Sequence, residues 1–252
     1  MPPPEVPYDS PMAEPELDEQ RAFWNSWNTQ HRTDGIDEFM ARQLAEAKRA
    51  VAHLTSRSES PERELRILEV GCGTGWLAAE LTGCGVVTAT DLSDASIEIA
   101  RRRAPQVQFF AGDFVQLHLP GGFDLVVSAD VIAHVADQQQ FVRRIGELLR
   151  PGGLFLLMTQ NGFVWRRSSY LVPQQPGQLR NWPSLHRIRQ LLRPEFDILR
   201  VGTIVPGGDQ GVLRPVRWTH RAARVLRLQR PWTRVLEWAR IGRELVVLAQ
   251  KL

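Results

Sequence analysis

Three glycines at alternate positions, Gly71, Gly73 and Gly75, separate the apolar run Ile67–Val70 from the amphipathic start Trp76-Leu77. Lacking a Cβ, they let backbone approach a ligand closely, so a buried strand, a tight turn and the first turn of a helix are expected here, as in nucleotide-type sites. Acidic residues surround this loop: Glu69 just before it, Asp91 in Ala89-Thr-Asp-Leu-Ser93, and Asp113 in Ala111-Gly-Asp-Phe114. Glu69 would repel a phosphate and suits a cationic group. Asp91, at the end of an expected strand, can accept hydrogen bonds from both hydroxyls of a ribose, a need that nicotinamide cofactors share. Asp113 is placed for an adenine amino group, with Phe114 available to pack against the ring. A dinucleotide motif wants glycine where Trp76 stands, and no P-loop Lys-Ser/Thr pair follows, so neither a dinucleotide site nor a phosphate cradle is supported.

Proton chemistry falls to His134, in Ser128-Ala-Asp-Val-Ile-Ala-His-Val135, whose ordinary pKa near neutrality suits a base. A histidine that anchors the segment under the ligand is the alternative. His186 is a second base candidate. Cys72 and Cys84 are too few for a disulfide framework, and no Cys/His cluster has zinc spacing.

Positioning these groups requires alternating strands and helices. The expected strands are 66–70, 86–91, 107–111, 123–128 and 153–159, with helices near 76–82, 93–103 and 137–149 between them. Ser93 is a plausible cap for the second of these helices, and Pro151-Gly-Gly153 ends the third. A helix near 184–192 leads to a sixth strand, 196–205, and Glu244–Ala249 reads as a seventh, buried one. Ahead of the first strand, Ile36, Met40, Leu44, Ala47, Val51 and Leu54 recur at helical spacing, with Asp34 or Asp37 as cap. Phe23, Trp24 and Trp27 form the aromatic face of an earlier short helix, either packed as core or closing as a lid. The Pro- and acid-rich residues 1–16 read as a disordered tail. Residues 17–252 read as one domain, with a helical cap at 17–57.

The ordered set Glu69–Gly75, Asp91, Gly112-Asp113, Phe123–Ser128 and Leu149–Leu156 resembles the class I S-adenosylmethionine-dependent methyltransferases. That resemblance implies a Rossmann-like α/β fold with seven strands in the order 3-2-1-4-5-7-6, the last antiparallel, and helices on both faces. It assigns S-adenosyl-L-methionine, with S-adenosyl-L-homocysteine as product, to Glu69, Gly71, Cys72, Gly73, Gly75, Asp91, Leu92, Asp113, Phe114 and Ser128. Asp130 and His134 also resemble part of the Glu-x-x-Glu-His pattern of ubiquinone-biosynthesis O-methyltransferases, which binds a divalent metal. Ala133 replaces the second Glu, so no metal is expected.

The expected acceptor is a small molecule methylated on a hydroxyl: a secondary metabolite, a saccharide or a lipid-linked compound. Trp24, Asn161, Arg166, Arg180 and Trp182 are its candidate contacts. The runner-up readings are methylation of nucleic acid or protein, and a non-catalytic interaction protein, which the intact cofactor motif disfavours. At 252 residues, 43% hydrophobic and 23% charged, the chain has a globular composition. No apolar run is long enough to span a bilayer, and the N-terminus lacks signal-peptide character, so a cytoplasmic location is expected. The formal charge of +3 is unevenly spread: residues 214–251 hold ten Lys/Arg against Glu237 and Glu244. The arginine-rich insertion 206–240, which Pro231 should split into two helices, reads first as a surface pair whose arginines solubilise it and pair with acidic partners, and otherwise as a contact for an anionic substrate or the inner membrane surface. Nucleic acid is the less favoured partner.

Overall fold

A computed structural model describes residues 14–30, 35–57 and 63–252. The expected tail up to residue 13 and the capping candidate Asp34 lie outside them. The described chain opens with helices α1 (Leu17–Gln30) and α2 (Glu38–Thr55). Asp37 caps α2 by accepting the Met40 amide at 2.8 Å, which satisfies one of the donors a helix start leaves open. Met40, Ala47, Ala50 and Leu54 bury the face that their spacing marks.

Strands β1 (Leu65–Val70), β2 (Gly85–Asp91), β3 (Gln108–Ala111), β4 (Phe123–Ala129), β5 (Leu149–Gln160), β6 (Phe196–Pro206) and β7 (Gly242–Lys251) form one sheet. Their order is β3-β2-β1-β4-β5-β7-β6. β1 to β5 run parallel, while β7 pairs antiparallel with both β5 and β6. β1 is buried along nearly all its length, the pattern of a central parallel strand covered on both faces. One face packs α2, α3 (Trp76–Leu81) and α4 (Asp94–Arg103) around Ile67, Leu125 and Leu156. The other packs α5 (Gln138–Leu148) and, after the single turn α6 (Gly162–Trp165), α7 (Leu185–Leu192) around Leu68, Val126 and Phe155. Phe141 and Ile145 of α5 are almost wholly buried, and truncating Phe141 to Ala would cost ~3–5 kcal/mol. Because the chain crosses from β3 back to the far side of β1, the order reverses between β1 and β4. Open α/β sheets bind ligands at such a switch point, beyond the carboxyl ends of the strands.

Two local expectations need correction. β5 starts at Leu149 rather than Gly153, because Leu149 pairs with Phe123 before the register jumps to Leu125↔Leu154. That bulge absorbs Pro151 and the two glycines, and Lys251 Nζ secures it by donating to the Leu149 carbonyl at 2.8 Å. The basic insertion does form two helices, α8 (Arg214–Val225) and α9 (Gln229–Trp238), but Pro231 does not separate them. It sits in the first turn of α9, where its missing N–H costs nothing. The break falls at 226–228, where Arg227 turns the chain with φ 58°.

Candidate functional site

The loop from β1 to α3 is fixed from below by backbone. The amides of Gly71 and Cys72 both donate to the Thr90 carbonyl, at 2.8 and 2.9 Å. Gly71, Gly73 and Gly75 all take positive φ, at 78°, 50° and 75°, a region that costs other residues dearly. Their surroundings differ. A Cβ on Gly71 would strike the Val131 side chain, and one on Gly75 would lie 2.7 Å from Ala100 Cβ, whereas one on Gly73 would meet nothing within 4 Å. Gly73 is thus the glycine whose Cβ side meets open space, whereas the Cβ sides of Gly71 and Gly75 are filled by neighbouring side chains.

Asp91 ties this loop to the next. Its Oδ2 accepts the Gly73 amide at 2.7 Å and its Oδ1 the Ser93 amide at 2.8 Å. Burial pushes its carboxyl above the ordinary range, against the downward pull of these two amides. Asp113 accepts the Val115 amide at 3.1 Å, and Phe114 stands edge-on to Phe141 with ring centres 5.3 Å apart. Glu69 lies beneath the loop between Ala89 and Val127. Burial, then the Asp91 charge, lift its pKa to about 8, although the Ala78 amide opposes them. Its Oε2 has no hydrogen-bond partner among the described residues, and neither do Thr90 Oγ1 and Ser128 Oγ. Cys72 is buried, and burial together with the nearby carboxylates holds its thiol well above the usual value, which favours the protonated form.

A cavity of about 380 Å³ opens above these groups. Gly71, Gly73, Asp91, Leu92, Asp113 and Phe114 bound one side of it, and Asp130, His134 and Trp24 the other. Glu69, Cys72, Gly75 and Ser128 support this wall without lining it. α1 supplies Leu17, Gln20, Trp24 and Asn28 to the cavity. Sequence reasoning singled out Trp24 alone, but the spacing of three, four and four along one helix face was a signal for the others. α1 is held over the site by Asn25, whose amide donates to Asp94 at 2.8 Å and whose Oδ1 accepts from Ser93 Oγ at 2.6 Å.

His134 ends a short 3₁₀ turn, Ile132–His134. Its Nδ1 lies 2.6 Å from the Leu179 carbonyl. A carbonyl can only accept, so Nδ1 carries the proton and Nε2 the lone pair. Trp24 meets the ring edge-on at 4.8 Å. Burial drives the imidazole pKa down to about 4; the Leu179 bond opposes this, and the Arg180 charge adds to it. Arg180 itself donates to the Val172 carbonyl and to Gln178 Oε1, with its guanidinium 5.3 Å from the Trp182 ring.

Asp130, at φ 59°, is turned back toward α2. The Gln43 amide nitrogen reaches both Asp130 Oδ2, at 3.1 Å, and Glu244 Oε1 on β7, at 2.7 Å. Burial raises both carboxyls, Asp130 to about 6 and Glu244 well above its ordinary value, where the charges of Asp130 and Glu46 add to the effect. Nothing in the local sequence joins these three residues. Among the described residues no three His, Cys, Asp or Glu side chains are grouped to hold a metal.

A second cavity, which shares Ala136 and Asp137 with the first, is lined by Arg166, Trp182 and Arg187. Three candidates belong to neither cavity: Arg180, held by the Val172 carbonyl and Gln178, and two more. Asn161 is buried, and its amide donates to the carbonyls of Arg240, at 3.1 Å, and Gly242, at 2.8 Å, so it ties β5 to β7 rather than facing an acceptor. His186 lies exposed on α7, beside Gln190 at 2.9 Å, away from both cavities.

A seven-stranded sheet in this order, with a glycine-loop cavity at its switch point, defines a Rossmann-like α/β transferase of class I methyltransferase type. The family described as "Methyltransferase domain" matches residues 36–195, well over half the chain, and the chain belongs to it. S-adenosylmethionine is the methyl donor of this class, which the loop and acid series had indicated. Among curated proteins the chain is similar to ubiquinone biosynthesis O-methyltransferases. That of Brucella anthropi is 29% identical over 184 residues, covering 67% of this chain and 72% of that one. That of Methylocella silvestris is 33% identical over 151 residues, covering 53% and 57%. A probable S-adenosylmethionine-dependent methyltransferase of Mycolicibacterium smegmatis is 39% identical over 97 residues, 38% of each chain. Against the Mesorhizobium japonicum, Caulobacter and Methylocella enzymes the match spans only 57–58% of the relative's length. Two solved structures share the fold. Magnesium protoporphyrin IX methyltransferase from Synechocystis PCC 6803 has a TM-score of 0.61 at 16% identity, covering 94% of this chain and 100% of that one. The N-methyltransferase NodS from Bradyrhizobium japonicum WM9 has a TM-score of 0.60 at 15% identity, covering 93% and 98%.

Proposed function

We propose that this methyltransferase methylates a hydroxyl oxygen of a small molecule of secondary-metabolite, saccharide or lipid-linked type, in the cytoplasm. The observation that carries this reading is one cavity lined by Asp91, Asp113 and Phe114 together with His134 and Trp24. The name of the Brucella relative, an O-methyltransferase, supports oxygen as the methylated atom.

The residues present fit the cofactor. Asp91 keeps lone pairs for the ribose hydroxyls after accepting two backbone amides, Asp113 and Phe114 flank the adenine position, and the space beyond Gly73 admits the ligand's backbone-hugging portion. Glu69, below the loop, supplies a latent negative charge toward the methionine end. When bound, the sulfonium supplies an electrophilic methyl group, so this chain's task is in-line placement of the acceptor oxygen and removal of its proton. His134 stays unprotonated above a pH of about 4, and its Nε2 lone pair holds and then takes the hydroxyl proton. Trp24 excludes water from that side. Arg166 and Trp182, at the adjoining cavity, guide an anionic or cyclic acceptor inward.

Incubation with methyl-labelled cofactor and a panel of phenols, enols, sugars and lipid-linked alcohols tests the proposal. Label recovered as a methyl ether is expected. Label found only on nitrogen, on carbon, or on nucleic acid or protein would overturn it.

A further inference from the structure

The helical pair α8–α9 is charged and apolar on the same outward faces. Along α8, Arg214, Trp218, Arg221 and Val225 recur at the i, i+4, i+7 and i+11 spacing of one helix face and are all exposed, while Val216, His220 and Ala223 turn inward. On α9, Arg234, Val235 and Trp238 stand exposed opposite the buried Leu236. Trp218 is 68% exposed and Trp238 86%, and the turn joining the helices exposes Val225, Leu226 and Leu228 as well. From 211 to 240 there are eight arginines and a single acid. That acid, Glu237, is already taken by Arg42 of α2 at 2.6 Å, so nothing acidic on the pair itself balances its outer charge.

We infer that α8–α9 docks on an anionic lipid surface, with the tryptophans and the 225–228 turn seated at the headgroup level and the arginines on lipid phosphates. A bilayer interface rewards both features together, since indole rings partition to the headgroup region and basic side chains gain from anionic lipid. The alternatives each leave one feature unexplained. A second copy of this face would bring eight arginines against eight. A nucleic acid would satisfy the arginines, but the aliphatic side chains of Val225, Leu226, Leu228 and Val235 offer it neither hydrogen bonds nor a stacking plane. Among the described residues no helix is long and apolar enough to cross a membrane, so the contact lies in the interface plane. The pair is held to the body by the Arg42–Glu237 bridge and by Thr203 Oγ1, which donates to the Glu237 carbonyl at 2.9 Å. Docking therefore orients the whole domain. This inference is independent of the acceptor proposed above.

The test is co-sedimentation of the full chain with vesicles of phosphatidylcholine alone and of phosphatidylcholine with phosphatidylglycerol, at low and high salt. A gain of about tenfold or more in bound protein with phosphatidylglycerol, weakened by salt, is expected. W218S/W238S and, separately, L226D/L228D should each lose most of that gain. A thermal shift with S-adenosylmethionine on each variant shows that it has folded, and reads the methyltransferase site separately from the lipid contact. No enrichment on phosphatidylglycerol vesicles would overturn the inference. So would enrichment that both variants retain, salt-sensitive dimerisation in sedimentation velocity that the variants abolish, or tighter binding to a DNA or RNA duplex than to the vesicles.

Discussion

The two halves of the cavity are held by different means. On the side assigned to the cofactor, acids are satisfied by backbone amides near them in the chain: Asp91 by Ser93 and Gly73, two and eighteen residues away, and Asp113 by Val115, two away. On the opposite side the partners are remote. His134 is fixed by a carbonyl 45 residues on and Asp130 by a side chain 87 residues back, which also serves Glu244, a residue outside the cavity lining, across 201 residues. One half is a local motif on a strand–loop–helix unit. The other is assembled by tertiary packing of α1, the loop after β4, the α2 side chain that holds Asp130, and the segment before α7. A local motif tolerates change elsewhere in the chain, whereas an assembled wall depends on several elements at once and is the part able to vary with the acceptor.

The largest test of this division is His134→Ala. If Nε2 takes the acceptor proton, turnover should fall on the order of 10²–10⁴-fold while cofactor affinity by calorimetry hardly moves. An unchanged rate would remove His134 as base. Because its pKa lies at about 4, the rate of the unaltered enzyme should show no loss assignable to this group between pH 5 and 8. Asp91→Ala should do the converse. Losing hydrogen bonds to a charged group costs roughly 1.5–3 kcal/mol, so the cofactor Kd should rise on the order of 10–100-fold, with turnover at saturating cofactor little changed. Equal losses of turnover in both variants would show that the halves are not separable.

The same division explains what could be read from residues alone. Gly71, Gly73, Gly75, Asp91 and Asp113 were legible because each lies at or just beyond the end of a short apolar run that reads as a buried strand, and the partners of the two acids lie within eighteen residues of them. The strand order was legible by resemblance for the same reason. Gln43 and Glu244 were not, since the first reads as a polar position on an amphipathic helix and the second as the start of a strand. Asn161 and His186 show the converse error: each has suitable chemistry beside a plausible loop, yet Asn161 is spent on two backbone carbonyls and His186 faces outward. Pattern reports which side chains exist, but their direction is set by elements that are far off in the chain.

Gln43→Leu probes the assembled side through stability. Both carboxyls it serves have folded-state pKa values raised by burial, Asp130 to about 6. Well below pH 4 they are protonated in folded and unfolded chains alike, and no penalty for burying charge arises. Between the ordinary carboxyl range near 4 and the folded value of about 6 the unfolded chain ionises first and the native state loses stability relative to it, with the Gln43 amide offsetting part of that loss. Removing the amide should thus cost ~1–3 kcal/mol in urea unfolding at pH 7.5 and distinctly less at pH 4.5. Identical losses at both values would mean that Gln43 acts by packing alone.

Glu69 gives the smallest effect and the sharpest sign. With a folded-state pKa of about 8, it is mostly protonated at pH 6.5 in the unliganded protein, and this burial costs progressively more stability as pH climbs from the unfolded value of 4.5 toward 8. A cationic ligand end favours the ionised form, so binding must expel the proton. Cofactor affinity should therefore strengthen by up to about tenfold per pH unit below 8 and level off above it. Calorimetry at pH 6.5 in two buffers of different ionisation enthalpy should register proton release, and Glu69→Gln should abolish it. If Glu69→Gln leaves both the release and the pH slope intact, the charge is not coupled to the ligand, and Glu69 serves only to close the floor beneath the glycine loop.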